Sequence, residues 1–261
     1  MGEGILDVTI SRGLAKITFN RPSKLNAIDC DLAEKLVEAL SAIDQNPTVK
    51  VVILRGAGRA FMAGGDLKAF HDAGDQAPDA VKNLMVPFHQ VVRLIRDLRP
   101  PVIAAVHGAV AGGGLALALA CDFVIAAADA VFTPAYLKIA TTPDGGTTWS
   151  VSRLLGERRA LEWLLLGEPL SAHEAAKLGL INRVVAPKDF DQEVQTLANR
   201  LAAGPAGAQA SLKRLIWRAT STPLDDQLEA EAASFLSLAA TADFREGVTA
   251  FFERREARFG E

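Results

Sequence analysis

The chain has 261 residues, 49% apolar and 23% charged, enough to bury the core of one large domain, or of a domain with a smaller appendage. Its net charge of −3 and pI near 5.9 lack the basic surplus of a nucleic-acid binder, although single basic pockets for phosphates remain compatible with them. Two cysteines, Cys30 and Cys121, stand far apart without metal-ligand spacing, and the N-terminal stretch MGEGILDVTISRG lacks a basic-then-apolar signal pattern. The expectation is therefore a reduced, cytoplasmic protein with no disulfide frame and no bound metal.

Residues 4–10 and 14–20 flank Arg12-Gly13 and predict a hairpin. From Asp29 to Asn46, Leu32, Leu36, Leu40 and Ile43 fall on one helical face, and Pro47 ends the run. Val49 to Leu54 predicts a buried strand, followed by the Gly-rich loop GAGRAFMAGGDL. A helix over 79–98 aligns Leu84, Phe88, Val91, Ile95 and Leu98, with Pro87 kinking or restarting it. Val102 to Val106 is a second buried strand, leading through Gly108 to Gly112-Gly113-Gly114 and an apolar helix ending near Cys121. The run from Pro101 to Ala120 is interrupted by His107 and glycines, so it reads as strand, turn and helix rather than a membrane span. Short strands follow at Phe123 to Ala126 and Val131-Phe132. From Thr147 onward the pattern is helical, over 171–178, 189–203, 207–220, 223–239 and 241–256, with one strand at Ile181 to Val185. An α/β core over 1–204 with a helical region over 205–261 is the architecture this order predicts.

Two Gly-rich turns, Ala63-Gly64-Gly65-Asp66 and Gly112-Gly113-Gly114, each follow a strand and precede a helix. Glycine lets backbone approach a ligand, and the first N–H groups of a helix are unpaired donors suited to an anion or oxyanion. Taken alone, each turn equally describes tight packing of helix on strand. Neither matches a nucleotide fingerprint.

In this order, RPSKLNAID, RAFMAGGDLKAF, RPPVIAAVHGAVAGGGLALALACD, PDGGTTWSVSRLLG and the C-terminal TAFFERREARF resemble the crotonase superfamily of enoyl-CoA hydratases and isomerases, over nearly the whole chain. The resemblance implies a spiral of repeated ββα units, as in ClpP-like folds, with a C-terminal helical trimerisation region and a homotrimer or a hexamer made of two trimers. It implies an acyl-CoA thioester as substrate, with coenzyme A part of that substrate and no separate cofactor; the charge balance and the lack of a long apolar run point away from nucleic acid and membrane as partners. The thioester carbonyl would sit between the N–H groups of Ala63 and Gly113. Lys24, Leu25 and Ala27 would line the adenine and phosphate end, with Asp66 and Leu67 beside the nucleotide and pantetheine. Phe251 and Arg254 would reach coenzyme A from a neighbouring subunit. Without the resemblance, Lys24 and Arg254 read as solvated surface charge.

The two glutamates of crotonase-type hydratases correspond to Ala116 and Tyr136 here, neither of which supplies a carboxylate. Asp144, in PDGG, matches the position where several enoyl-CoA isomerases of the superfamily carry their catalytic carboxylate. One such group suffices for an allylic shift, taking a proton from one carbon and returning it to another. The plain alternative is an Asp that only shapes a turn or caps a helix. His89, read as starting a helix segment after Pro87, is the second candidate, kept neutral there as a base; the alternative is a half-buried packing histidine. The set His89, Tyr136 and Asp144 also resembles the aryl-CoA dehalogenase branch, in which the aspartate attacks the ring. A hydratase positioning water through His89 and Asp144, and an inactive coenzyme A-binding scaffold, complete the alternatives. His71, His107 and His173 have no evident partners in sequence.

Overall fold

The structure, a computed structural model, describes residues 4–260; Met1, Gly2 and Glu3, where the N-terminal reading and the first predicted region begin, and Glu261 lie outside it. The hairpin forms as β1 (Leu6–Ser11) and β2 (Leu14–Phe19), paired antiparallel with Ser11 opposite Leu14. Its two-residue turn has positive φ at both Arg12 (51°) and Gly13 (78°), the primed geometry that matches strand twist. Asp29 caps α1 (Cys30–Asp44) by accepting from the Leu32 N–H at 3.0 Å, and Leu32, Leu36, Leu40 and Ile43 are buried.

Three strand pairs follow. They are β3 (Val51–Gly56) with β4 (Ala60–Met62), β5 (Val102–Val106) with β6 (Ala109–Ala111), and β7 (Phe123–Ala127) with β8 (Val131–Thr133). Helices α2 (Leu67–Ala73) and α3 (Ala77–Asp97) follow the first pair, α4 (Gly113–Ala120) the second, and α5 (Thr147–Leu155) and α6 (Glu157–Leu166) the third. The first strand of each pair joins a sheet of order β1-β2-β3-β5-β7-β10, and the second joins β4-β6-β8-β9, where β9 is Leu170–Ser171 and β10 is Arg183–Val185. This is the α/β spiral of ββα units that the resemblance implied. Between β9 and β10 lies α7 (Ala172–Lys177), and α8 (Phe190–Ala202) follows.

Strand β3 is apolar along its length because both faces are covered. Val52 and Leu54 face the main core with Leu36, Leu40 and Val91, whereas Val51 and Ile53 join Ile103 and Ile125 beneath Phe190, Val194 and Leu197 of α8. Two expectations change. Part of the stretch read as Gly-rich loop is strand, the end of β3 and β4. Helix α3 runs unbroken through Pro87 from Ala77, so Pro87 does not restart it. The buried stripe Leu84, Phe88, Val91 and Ile95 holds the helix against the core on both sides of the lost N–H.

The chain turns at Gly204-Pro205 into α9 (Ala206–Ala219), α10 (Leu224–Ala239) and α11 (Ala242–Glu253). Helix α9 is fastened to the core by Lys213, whose buried ammonium lies 2.8 Å from Asp122 Oδ2 and donates to the Ile95 carbonyl at 2.9 Å. Helices α10 and α11 leave an apolar face open: Leu236 is 72% exposed, Phe251 79% and Phe252 78%. A cavity of about 700 Å³ on this face is lined by Phe235, Phe244, Phe251, Phe252 and Phe259. Among the described residues, no helix is long and apolar enough to cross a membrane.

Candidate active site

The two Gly-rich turns lie against each other: a β-carbon at Gly112 would sit 3.4 Å from Gly64 Cα, and one at Gly113 would sit 3.9 Å from the Gly64 carbonyl carbon. Gly113 is the first residue of α4, so its N–H has no partner within the helix. The expected partner amide is displaced. Ala63 donates its N–H to the Leu25 carbonyl at 3.0 Å and is not available to a thioester. Ile28 donates to Gly64 at 2.8 Å and accepts from Asp66 at 2.9 Å, forming a parallel bridge opposite Gly65. In such a bridge the residue opposite turns its own N–H and C=O away. The Gly65 amide therefore faces outward, with no hydrogen-bond acceptor among the described residues.

Phe88 of α3 wedges between the second turn and the Asp144 loop. Its Cζ is 3.5 Å from the β-carbon position of Gly113, and its Cε1 is 2.5 Å from that of Gly145. The Ala116 methyl is 2.9 Å from the same Gly145 position, so only glycine fits there. Gly145 and Gly146 also hold positive φ, 57° and 80°. This is the physical content of the PDGG motif: two left-handed residues, the first pressed onto Phe88 and Ala116, with Asp144 delivered just before them.

Asp144 is half-buried. Burial raises its carboxyl pKa above the ordinary value, while hydrogen bonding from Tyr136 and the neighbouring His89 pull the other way. Tyr136 is buried, and burial together with the Asp144 charge pushes its phenol far up, so it stays protonated. Its hydroxyl lies 3.2 Å from Thr147 Oγ1, and Thr147 donates both its N–H (3.0 Å) and its hydroxyl (2.9 Å) to the Asp144 carbonyl.

His89 is half-buried in α3, and its Nε2 accepts from the Gly145 N–H at 3.4 Å. In that contact Nε2 is the acceptor, which leaves Nδ1 as the ring's donor nitrogen. The expected dipole effect is absent, because His89 lies mid-helix rather than at a helix start. The structure thus brings His89, Tyr136, Asp144 and Gly113 into one cluster. The other histidines stand apart: His71 and His173 are exposed, and His107 bonds the Gly58 carbonyl at 2.9 Å.

The loop before α1 is more organised than its sequence announced. Asp66 accepts from Lys24 at 2.7 Å and from Arg21 at 3.1 Å, and Arg21 also pairs with Asp29 at 2.8 Å. These partners, Lys24 first, hold the Asp66 pKa below the usual range against the effect of burial. Buried Asn26 accepts from the Arg21 N–H at 2.9 Å and donates to the Ala57 and Ala60 carbonyls. Lys24 and Leu67 are exposed, Leu25 and Ala27 half-buried. Sequence reasoning passed over Arg21 and Asn26, for which RP and LN offered no signal beyond a turn. Phe251 and Arg254 sit on α11 and its C-cap, and Phe251 lines the apolar cavity, none of whose walls belongs to the Asp144 cluster.

Residues 9–261 match the family described as enoyl-CoA hydratase/isomerase. A "probable enoyl-CoA hydratase" of Rhodobacter capsulatus is 40% identical over 253 residues, covering 96% of this chain and 95% of the relative. The 1,2-epoxyphenylacetyl-CoA isomerase of Escherichia coli K12 is 37% identical over 251 residues, covering 96% of each. The crystal structure of an enoyl-CoA hydratase from Polaromonas sp. JS666 superposes with a TM-score of 0.94 at 36% identity, over 98% of this chain and all (100%) of that one.

Proposed function

The chain belongs to the enoyl-CoA hydratase/isomerase family of the crotonase superfamily and processes acyl-CoA thioesters, and on that premise we propose that it is an enoyl-CoA isomerase with Asp144 as its proton carrier. The observation that carries this reading is a single half-buried carboxylate of raised pKa, set beside a methyl group (Ala116) and a phenol that stays protonated (Tyr136). Two-carboxylate hydration lacks its second acid. A one-base shift needs only this one.

In the proposed reaction the thioester oxygen accepts from the N–H groups of Gly65 and Gly113. Asp144 removes a proton from the α- or γ-carbon, the electrons move onto the oxygen, and the amides hold the resulting dienolate. Asp144 then returns the proton to the other carbon. Tyr136 donates to the ionised carboxylate, and His89 holds the Gly145 amide. Lys24, Leu25, Ala27, Asp66 and Leu67 line the coenzyme A arm. Phe251 and Arg254 act from a neighbouring subunit in a homotrimer or a pair of trimers, a role supported by the open aromatic face of α11. The test is 3-enoyl-CoA in D₂O with wild type and Asp144→Asn. We expect the variant to lose isomerisation by about 10²–10⁴-fold; equal rates would overturn the assignment.

A hydrolytic aryl-CoA dehalogenase is the second reading, favoured by the contact of His89 with the Asp144 turn. It requires halide release and an aspartyl ester that can be trapped, neither of which the isomerase produces.

A further inference from the structure

The α5 helix, whose first turn holds Asp144, is tied to the C-terminal helices through one cation. Arg96, near the end of α3, packs over Trp149 of α5 at 4.0 Å from the ring centroid and over Trp217 of α9 at 3.7 Å. Arg153, one turn past Trp149, covers that ring at 3.9 Å. The two indoles stand 6.2 Å apart at 48°. Burial lowers the Arg96 pKa to about 10, so the guanidinium is charged at neutral pH, and a partly desolvated cation gains more from a ring face than an exposed one.

Both ends of this contact are anchored. Trp217 Nε1 donates to Asp122 Oδ1 at 3.1 Å, and the other Asp122 oxygen takes the Val102 N–H and the Lys213 ammonium, each at 2.8 Å. At the other end, Trp149 lies two residues beyond Thr147, which holds the Asp144 carbonyl through two hydrogen bonds and contacts Tyr136. Arg96 is also two helical turns beyond His89, on the helix whose histidine accepts from Gly145. The Asp144 loop is thus gripped by α3 and α5 together, and Arg96 sets the spacing of those helices against α9.

We propose that Arg96 is a positioning residue, coupling the docking of the C-terminal helices to the placement of the Asp144 carboxylate through Trp149 and Trp217; this rests on the reading of Asp144 as the proton carrier. The action of Arg96 runs through the two indoles on which it packs. A merely structural role would lower thermal stability and leave the turnover of folded enzyme unchanged.

The experiment compares full-length wild type, Arg96→Met, Arg96→Lys and Asp144→Asn by 3-enoyl-CoA kinetics and by hydrogen exchange of the peptide spanning Gly145 to Thr147. For Arg96→Met we expect kcat to fall about 10–100-fold with KM within about twofold, as for a small displacement of a catalytic group. Exchange at 145–147 should quicken, and Arg96→Lys should recover part of both. Should Arg96→Met fail to fold, Trp217→Phe, which removes the bond to Asp122 and shrinks the ring under Arg96, should shift both readouts in the same direction. Folded Arg96→Met with unchanged kcat and unchanged exchange overturns the proposal. Full activity of Asp144→Asn removes its premise instead, and is distinguishable because exchange at 145–147 still quickens in Arg96→Met.

Discussion

Asp144 keeps a carboxylate where burial disfavours its charge, and its folded pKa is raised. Such a group contributes most to stability below its unfolded pKa, near 4, and its contribution is lost as pH rises through the folded pKa. Asp144→Asn should therefore melt higher than wild type at pH 7, with the gain shrinking toward pH 4, as thermal scans at both values will show. The wild-type kcat/KM should fall on its acid side at a pH above the ordinary carboxylate range. For the oxyanion amides, Gly113→Pro removes one donor at a first-turn position that proline tolerates, and should cost about 3–4 kcal/mol in the transition state. Stopped assays alongside a melting curve separate that loss from misfolding. His89, Tyr136 and Asp144 were singled out in sequence by the positions they share with the family, and the fold sets them close together. The donor pair was legible only in part. Which amide of Ala63-Gly64-Gly65 looks outward depends on the Ile28 bridge and on Gly64 at φ 100°, and no residue type states either.

Among the elements, α1, α3 and α8 were legible because each buries one stripe at helical spacing. Strands β4, β6 and β9 are two or three residues long and pair with distant partners, so alternation had no room to appear. Helix α4 packs so closely on β4 that a β-carbon at Gly114 would overlap the Met62 carbonyl oxygen. Gly114→Ala should cost about 1–3 kcal/mol or more by overpacking. Gly113→Ala should be tolerated, because its methyl would meet Ile28 and Phe88 at 3.5 Å, an ordinary contact. Urea titrations of the two variants will rank them.

At the scale of the molecule, the order of an α/β part and a helical part was legible from periodicity, whereas the joint between them was not. Lysine in an amphipathic helix reads as surface, and only the fold shows Lys213 at 8% exposure. The open aromatic face of α10 and α11 is read above as an assembly surface. Phe252→Asp should accordingly lower the mass seen by sedimentation while leaving the helical signal unchanged. The joint also has a temporal side. Lys213 bonds a carbonyl 118 residues earlier in the chain. A ribosome adding about 5–20 residues per second exposes Asp122 for several seconds before that lysine emerges. Over that interval the Asp122 carboxylate has only its bond from the Val102 N–H, and the ammonium that fastens the helical region to the core arrives late in synthesis.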